Sequence, residues 1–116
     1  MSTRLPGVRY RRVFDRGHSV RGRLLVAWCL RSAGSGRRAG VVVSRRSFHD
    51  AVDRNRAKRL MREAFRLLVK AERVPDGTEW VLVGRAALGG KKVQDVVEDI
   101  AALCARLPDR AEPYVR

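Results

Sequence analysis

A chain of 116 residues with 45% hydrophobic content is long enough for one domain with a modest core, and too apolar for a disordered segment. Its formal net charge of +14 is uneven: residues 1–70 hold 19 Lys or Arg against 4 Asp or Glu, and residues 71–116 hold 7 against 8. A surplus of that size repels itself unless a partner neutralises it, which points to nucleic acid; a spanning helix or signal segment is excluded, since Leu24 to Leu30 is too short for a bilayer and Met1 to Gly7 has no apolar stretch.

In chain order, residues 8–17 read as a short helix, with Val8, Tyr10, Val13 and Phe14 set among Arg9, Arg11, Arg12 and Arg16, and with Gly17 as the stop. Arg23 to Leu30 is an aliphatic strand carrying Trp28. Ser32 to Arg38 is a polar connector with Gly34 and Gly36, and Ala39 to Ser44 a valine-rich buried strand. Ser47 to Asp53 leads into a long basic helix that runs to about Glu72, with Asp50 as N-cap and Asp53 at N3. Pro75-Asp76-Gly77 is a turn, Glu79 to Gly84 a strand, and Arg85 to Lys92 a glycine-containing loop. A final amphipathic helix runs from Val93 through Leu107 with Asp95, Glu98 and Asp99 outward. Pro108 stops it and 108–116 is a flexible tail. The order α-β-β-α-β-α is that of a small α/β sandwich, one domain over 1–116 with its core in about 8–107.

The basic helix carries the strongest signal. At about 100° per residue, Ala57, Leu60, Met61, Ala64, Phe65 and Leu68 form one apolar stripe, and Arg54, Lys58, Arg59, Arg62, Arg66 and Lys70 occupy most of the other side. A solvated helix face mixes signs at i, i+4, whereas here only Glu63 interrupts the cations. Arg54 and Arg56 in the first turn oppose the helix dipole, a local cost of about 0.3–1 kcal/mol per charge, which makes sense if they converge on phosphates. Of the 26 cations 22 are Arg. A GC-rich genome accounts for much of that ratio but not for the net charge.

Two weaker constellations accompany it. Tyr10 and Phe14 are i, i+4 partners and Trp28 lies on the first predicted strand; such rings are usually core, but beside cations they also form a platform for single-stranded nucleic acid. Ser44-Arg45-Arg46 ends a buried strand in two cations, a site position or a plain surface pair. The basic half holds only Asp15, Asp50, Asp53 and Glu63, and no nucleophile motif or phosphate loop is present, so neither catalytic nor metal-ligating residues are expected. Cys29 and Cys104 lack metal spacing and read as buried reduced thiols of a cytoplasmic protein.

The stretch Arg54-Asn55-Arg56-x-Lys58-Arg59-x-x-Arg62-Glu63-x-Phe65 resembles the signature of the protein subunit of bacterial ribonuclease P. Tyr10-x-x-Val13-Phe14-x-x-Gly17, Val41 to Arg46, Glu79 to Arg85 and Val93 to Leu107 are similar to successive elements of that family, covering about 8–107. The resemblance implies a sheet of about four strands with a left-handed βαβ crossover. It implies a large catalytic RNA as partner, one protein per RNA, and precursor tRNA as substrate. That complex removes the 5′ leader by endonucleolytic hydrolysis with Mg²⁺ bound mainly by the RNA, and the protein alone is inactive. Carried over by position, Arg54, Asn55, Arg56, Lys58, Arg59 and Arg62, extended by Arg66 on the same face, would meet the RNA subunit. Tyr10, Phe14, Trp28, Ser44, Arg45 and Arg46 would line a cleft for the leader. This chain departs in having Tyr10 where Phe is usual, Ser47-Phe48-His49-Asp50 where a Gly-Asn version is common, and its Arg4-Leu5 pair one residue closer to the first aromatic. The alternatives are a non-enzymatic RNA-binding protein, and a helix-turn-helix regulator, which needs a second short helix just before residue 54.

Overall fold

The computed structural model describes residues 3–32, 34 and 36–106; Leu107, the Pro108 stop and the tail 108–116 lie outside the described residues. A 3-10 turn, Gly7–Arg9, opens into α1 (Tyr10–Arg16), followed by β1 (His18–Arg21), β2 (Leu25–Arg31), β3 (Arg37–Val42), α2 (Ala51–Lys70), β4 (Thr78–Gly84), a 3-10 turn at Ala86–Leu88 and α3 (Val93–Ala105). The sheet order is β1-β2-β4-β3. Both contacts of β2 are antiparallel, while β3 and β4 run parallel and are joined through α2, the βαβ crossover of a small α/β fold.

Several elements differ from the sequence reading, and β3 spans Arg37–Val42 where Ala39 to Ser44 was expected. β1 carries only Val20 as an apolar residue, too little for a period of two to register, and it is a strand because β2 pairs with it. β2 starts at Leu25, since Arg23 and Leu24 belong to the turn that ends β1. α2 begins at Ala51, as an N-cap at Asp50 requires, so its first turn carries Asp53 and the expected first-turn pair Arg54 and Arg56 falls after it, where the dipole cost is smaller. Asp50 does hold the N-cap position with extended backbone, but its carboxylate makes no capping hydrogen bond. Residues 43–50, between β3 and α2, contain no helix, so the two-helix unit of a helix-turn-helix regulator is absent among the described residues.

Side chains alternate across the sheet. Leu25, Ala27 and Cys29 of β2, Ala39 and Val41 of β3, and Trp80 and Leu82 of β4 form the larger core with α2 and α3. From α2 this core takes Ala57, Leu60, Met61, Ala64, Phe65 and Leu68, the whole of the predicted stripe. Phe65 meets Trp80 edge-on at 6.3 Å, and the Trp80 indole N–H donates to Thr78 Oγ1 at 2.8 Å. On the opposite sheet face Leu5, Val13, Leu30 and Val81 make a second, smaller core under α1.

Local devices hold the ends of these elements. The Asp95 carboxylate accepts the Lys92 N–H at 2.9 Å and so caps α3. At the end of α2 the Arg73 N–H reaches the Leu68 carbonyl and the Glu72 N–H that of Val69, a Schellman motif with Glu72 at φ 57°. The Pro75-Asp76-Gly77 turn needs its glycine, at φ 72°, and Asp76 ties it to the β2–β3 connector through the Gly36 N–H at 2.8 Å.

Candidate nucleic-acid interface

The outer side of α2 is built by default: once the stripe is buried, the remaining positions face away from the sheet. Lys58 and Arg62 are half-buried along the flank, Asn55 and Arg59 exposed, and none of these four side chains has a protein partner among the described residues. Arg54 turns back, its Nη1 donating to the Phe48 and His49 carbonyls at 3.0 and 2.7 Å, and so braces the lead-in of its own helix. Arg56 Nη2 donates to the Lys91 carbonyl at 3.1 Å. Both keep their charge, because a carbonyl does not cancel it. Arg66 differs: its guanidinium grips Glu63 with two bonds of 3.0 and 2.7 Å, which hold the Glu63 carboxyl below its usual range.

A residue outside the sequence-based set joins this surface. The N-terminal segment lies along the edge of β3, with Leu5 N–H on the Ala39 carbonyl at 3.0 Å and Ala39 N–H on the Thr3 carbonyl at 2.8 Å. That pairing brings Arg4 to a groove of about 670 Å³ shared with Arg56, Arg59, Arg62 and Arg66. No local pattern could have placed it, because a single parallel bridge joins residues far apart in the chain.

The second surface is on the other sheet face. Phe14 and Trp28, both half-buried, meet edge-to-face at 5.3 Å and 79°. Tyr10 is also half-buried, but its ring lies on the backbone of Gly40, where a Cβ would come within 2.2 Å of it. Its hydroxyl accepts the Val41 N–H at 3.1 Å. That hydroxyl therefore satisfies an outward donor of the edge strand. Beyond α1 the face stays partly open over Val26, Val83 and Val42, half-buried floor residues that the motifs did not mark because alternation alone does not say which strands a helix will cover.

Ser44, Arg45 and Arg46 follow directly from Val42 and Val43. Ser44 Oγ accepts the Ser47 N–H at 3.1 Å, so it shapes the turn on which Arg45 and Arg46 stand exposed and, among the described residues, unpartnered. Of the cations flanking the α1 aromatics, Arg9 is committed elsewhere: it forms a two-bond pair with the buried Glu79 of β4, at 3.1 and 2.8 Å, which pins α1 to the sheet. Arg12 and Arg16 remain exposed. Cys29 is buried as expected but Cys104 only half-buried, because it lies at the edge of the α3 apolar face; burial pushes the Cys29 thiol up to about 12 and the Cys104 thiol to about 11, which favours the protonated form of both.

Known proteins share this fold and much of this sequence. A family model described as Ribonuclease P matches residues 7–108. The ribonuclease P protein component of Pelotomaculum thermopropionicum is 41% identical over 97 residues, covering 84% of each chain; that of Clostridium kluyveri is 34% identical over 94 residues, covering 81% of this chain and 83% of the relative. Among solved structures, the RNase P protein from Thermotoga maritima superposes with a TM-score of 0.77 at 27% identity, covering 90% of this chain and 97% of that one. The Staphylococcus aureus RNase P protein, at 22% identity and a TM-score of 0.72 over 89% and 93%, shares the fold.

Proposed function

The chain belongs to the bacterial ribonuclease P protein family and is thereby a component of a tRNA 5′-processing endoribonuclease with an RNA partner, and from that premise we propose how its two surfaces divide the work. The outer side of α2, led by Lys58, Arg59 and Arg62 with Asn55, Arg54, Arg56 and Arg66 around them, binds the RNA subunit. The cleft under α1, with Phe14, Trp28 and Tyr10 at its wall and Arg45 and Arg46 at its mouth, takes the single-stranded 5′ leader of precursor tRNA. One protein serves one RNA, in the cytoplasm.

The observation that carries this reading is the placement of the two surfaces on opposite faces of one sheet, which lets a single chain hold two RNA segments at once. Side chains do the binding by phosphate contact on α2 and by stacking in the cleft, where each base is worth about 1–3 kcal/mol. Among the described residues no group of three or more His, Cys, Asp or Glu side chains comes together as a metal cage. In this reading the hydrolysis and its Mg²⁺ ions belong to the RNA, and the protein contributes affinity and position.

Reconstitution tests it. A bacterial ribonuclease P RNA assayed on precursor tRNA at low Mg²⁺ should cleave faster when the protein is added, with a 5′-phosphate on the mature end. Protein alone should leave the substrate intact. Cleavage by protein alone, or no response of the RNA to its addition, overturns the proposal.

A further inference from the structure

The open part of the cleft floor is a row that crosses the entire sheet. The registers Arg21↔Val26, Val26↔Val83 and Val83↔Val42 align four side chains, and residues directly opposite on neighbouring strands share a face. β1 obeys the same alternation: Val20 packs against the larger core, so Arg21 points to the cleft side. Three inter-strand steps of about 4.8 Å give the row a length of about 14 Å. At its β3 end the chain leaves Val42 and reaches the exposed Arg45 and Arg46 three and four residues on. The β1 end of the row is Arg21, exposed and without a side-chain partner among the described residues.

The backbone under Arg21 is held unusually firmly for a surface turn. Gly22 N–H donates to the Leu25 carbonyl at 2.8 Å, the Arg106 guanidinium donates to the Arg21 carbonyl at 2.8 Å, and that of Arg85 to the Gly22 carbonyl at 2.7 Å. The Asp99 carboxylate accepts the Arg23 and Leu24 N–H groups at 3.2 and 3.1 Å. Two of these braces are guanidinium groups on neutral carbonyls, so together with Arg21 three cations stand against the one Asp99 carboxylate at the turn. The turn is thus a positive, pre-positioned mount at the far end of an apolar track.

We infer that Arg21 is a leader-binding residue that makes the protein respond to leader length: it grips a backbone phosphate of the single strand after that strand has crossed Val42, Val83 and Val26. The valines offer apolar contact to bases and sugars without hydrogen-bond readout, and the guanidinium fork matches two phosphate oxygens. Arg21 therefore sets how far along the leader the protein reads. The inference rests on the leader occupying the cleft.

The test uses holoenzyme reconstituted with the RNA subunit and precursor tRNAs whose leaders are lengthened one nucleotide at a time. Wild-type affinity should rise with leader length to a plateau. Arg21→Ala should reach its plateau at a shorter leader and bind long-leader substrate about threefold more weakly, the scale of an exposed ion pair. Short-leader substrate should bind both proteins equally. The salt slope for long leaders should drop by about 0.7, and Arg21→Lys should restore it. An equal loss at every length, or no loss while the wild type still responds to length, overturns the role of Arg21. A wild type indifferent to leader length removes the leader reading itself.

Discussion

Arg59 and Arg66 lie about two turns apart on the same side of α2, yet they offer different chemistry. Glu63 holds Arg66 in a fork with bonds of 3.0 and 2.7 Å, so a phosphate approaching Arg66 competes with a carboxylate already in place. Arg59 has no such competitor. Arg59→Ala should therefore weaken binding to the RNA subunit and lower the salt slope by about 0.9, while Arg66→Ala should change both less. Titration of affinity against salt for the two variants decides it; equal slopes for wild type and Arg59→Ala would refute the contact. The cationic face was legible in the residues, because a stripe that clean leaves every other position outside. Which guanidinium groups stay available was not, since Arg54 and Arg56 are drawn to carbonyls, those of Phe48, His49 and Lys91, that only the fold brings within reach.

At the scale of elements, α2 ends under strain. Glu72 takes a left-handed φ of 57° to close the Schellman motif, a conformation that costs an L-residue about 1 kcal/mol or more and glycine little. Glu72→Gly should raise stability by about 1 kcal/mol, a gain of roughly 4 °C for a domain of this size, read by thermal melting. A lower melting temperature would mean that the Glu72 side chain has a use the contacts do not show. The long elements were visible in advance for a simple reason: α2 and α3 repeat their apolar residues through several turns. β1 was not, as four residues with a single valine carry no period. Its strand conformation comes from hydrogen bonds to β2.

For the molecule as a whole, the sheet acts as a partition. Arg59 faces outward on the side of the larger core and Phe14 sits with the smaller one, so the two surfaces should respond separately to substitution. Phe14→Ala should weaken the leader-dependent part of precursor binding and leave assembly with the RNA subunit near wild type, and Arg59→Ala should do the reverse. Binding measured with and without the leader separates these effects; equal losses from Phe14→Ala in both would make Phe14 a packing residue only.

Charge, the apolar stripe and the Arg54 to Phe65 motif were enough, without coordinates, to identify a nucleic-acid binder of this family, because each is a local or compositional property. The tertiary structure decided what depends on distant partners: that Glu79 takes Arg9 away from the aromatic wall, that Gly40 and Val41 hold Tyr10, that Arg4 joins the groove of α2, and that Arg21 shares a row with three valines. Those facts rest on strand pairing and long-range contact, whose partners lie tens of residues apart in the chain.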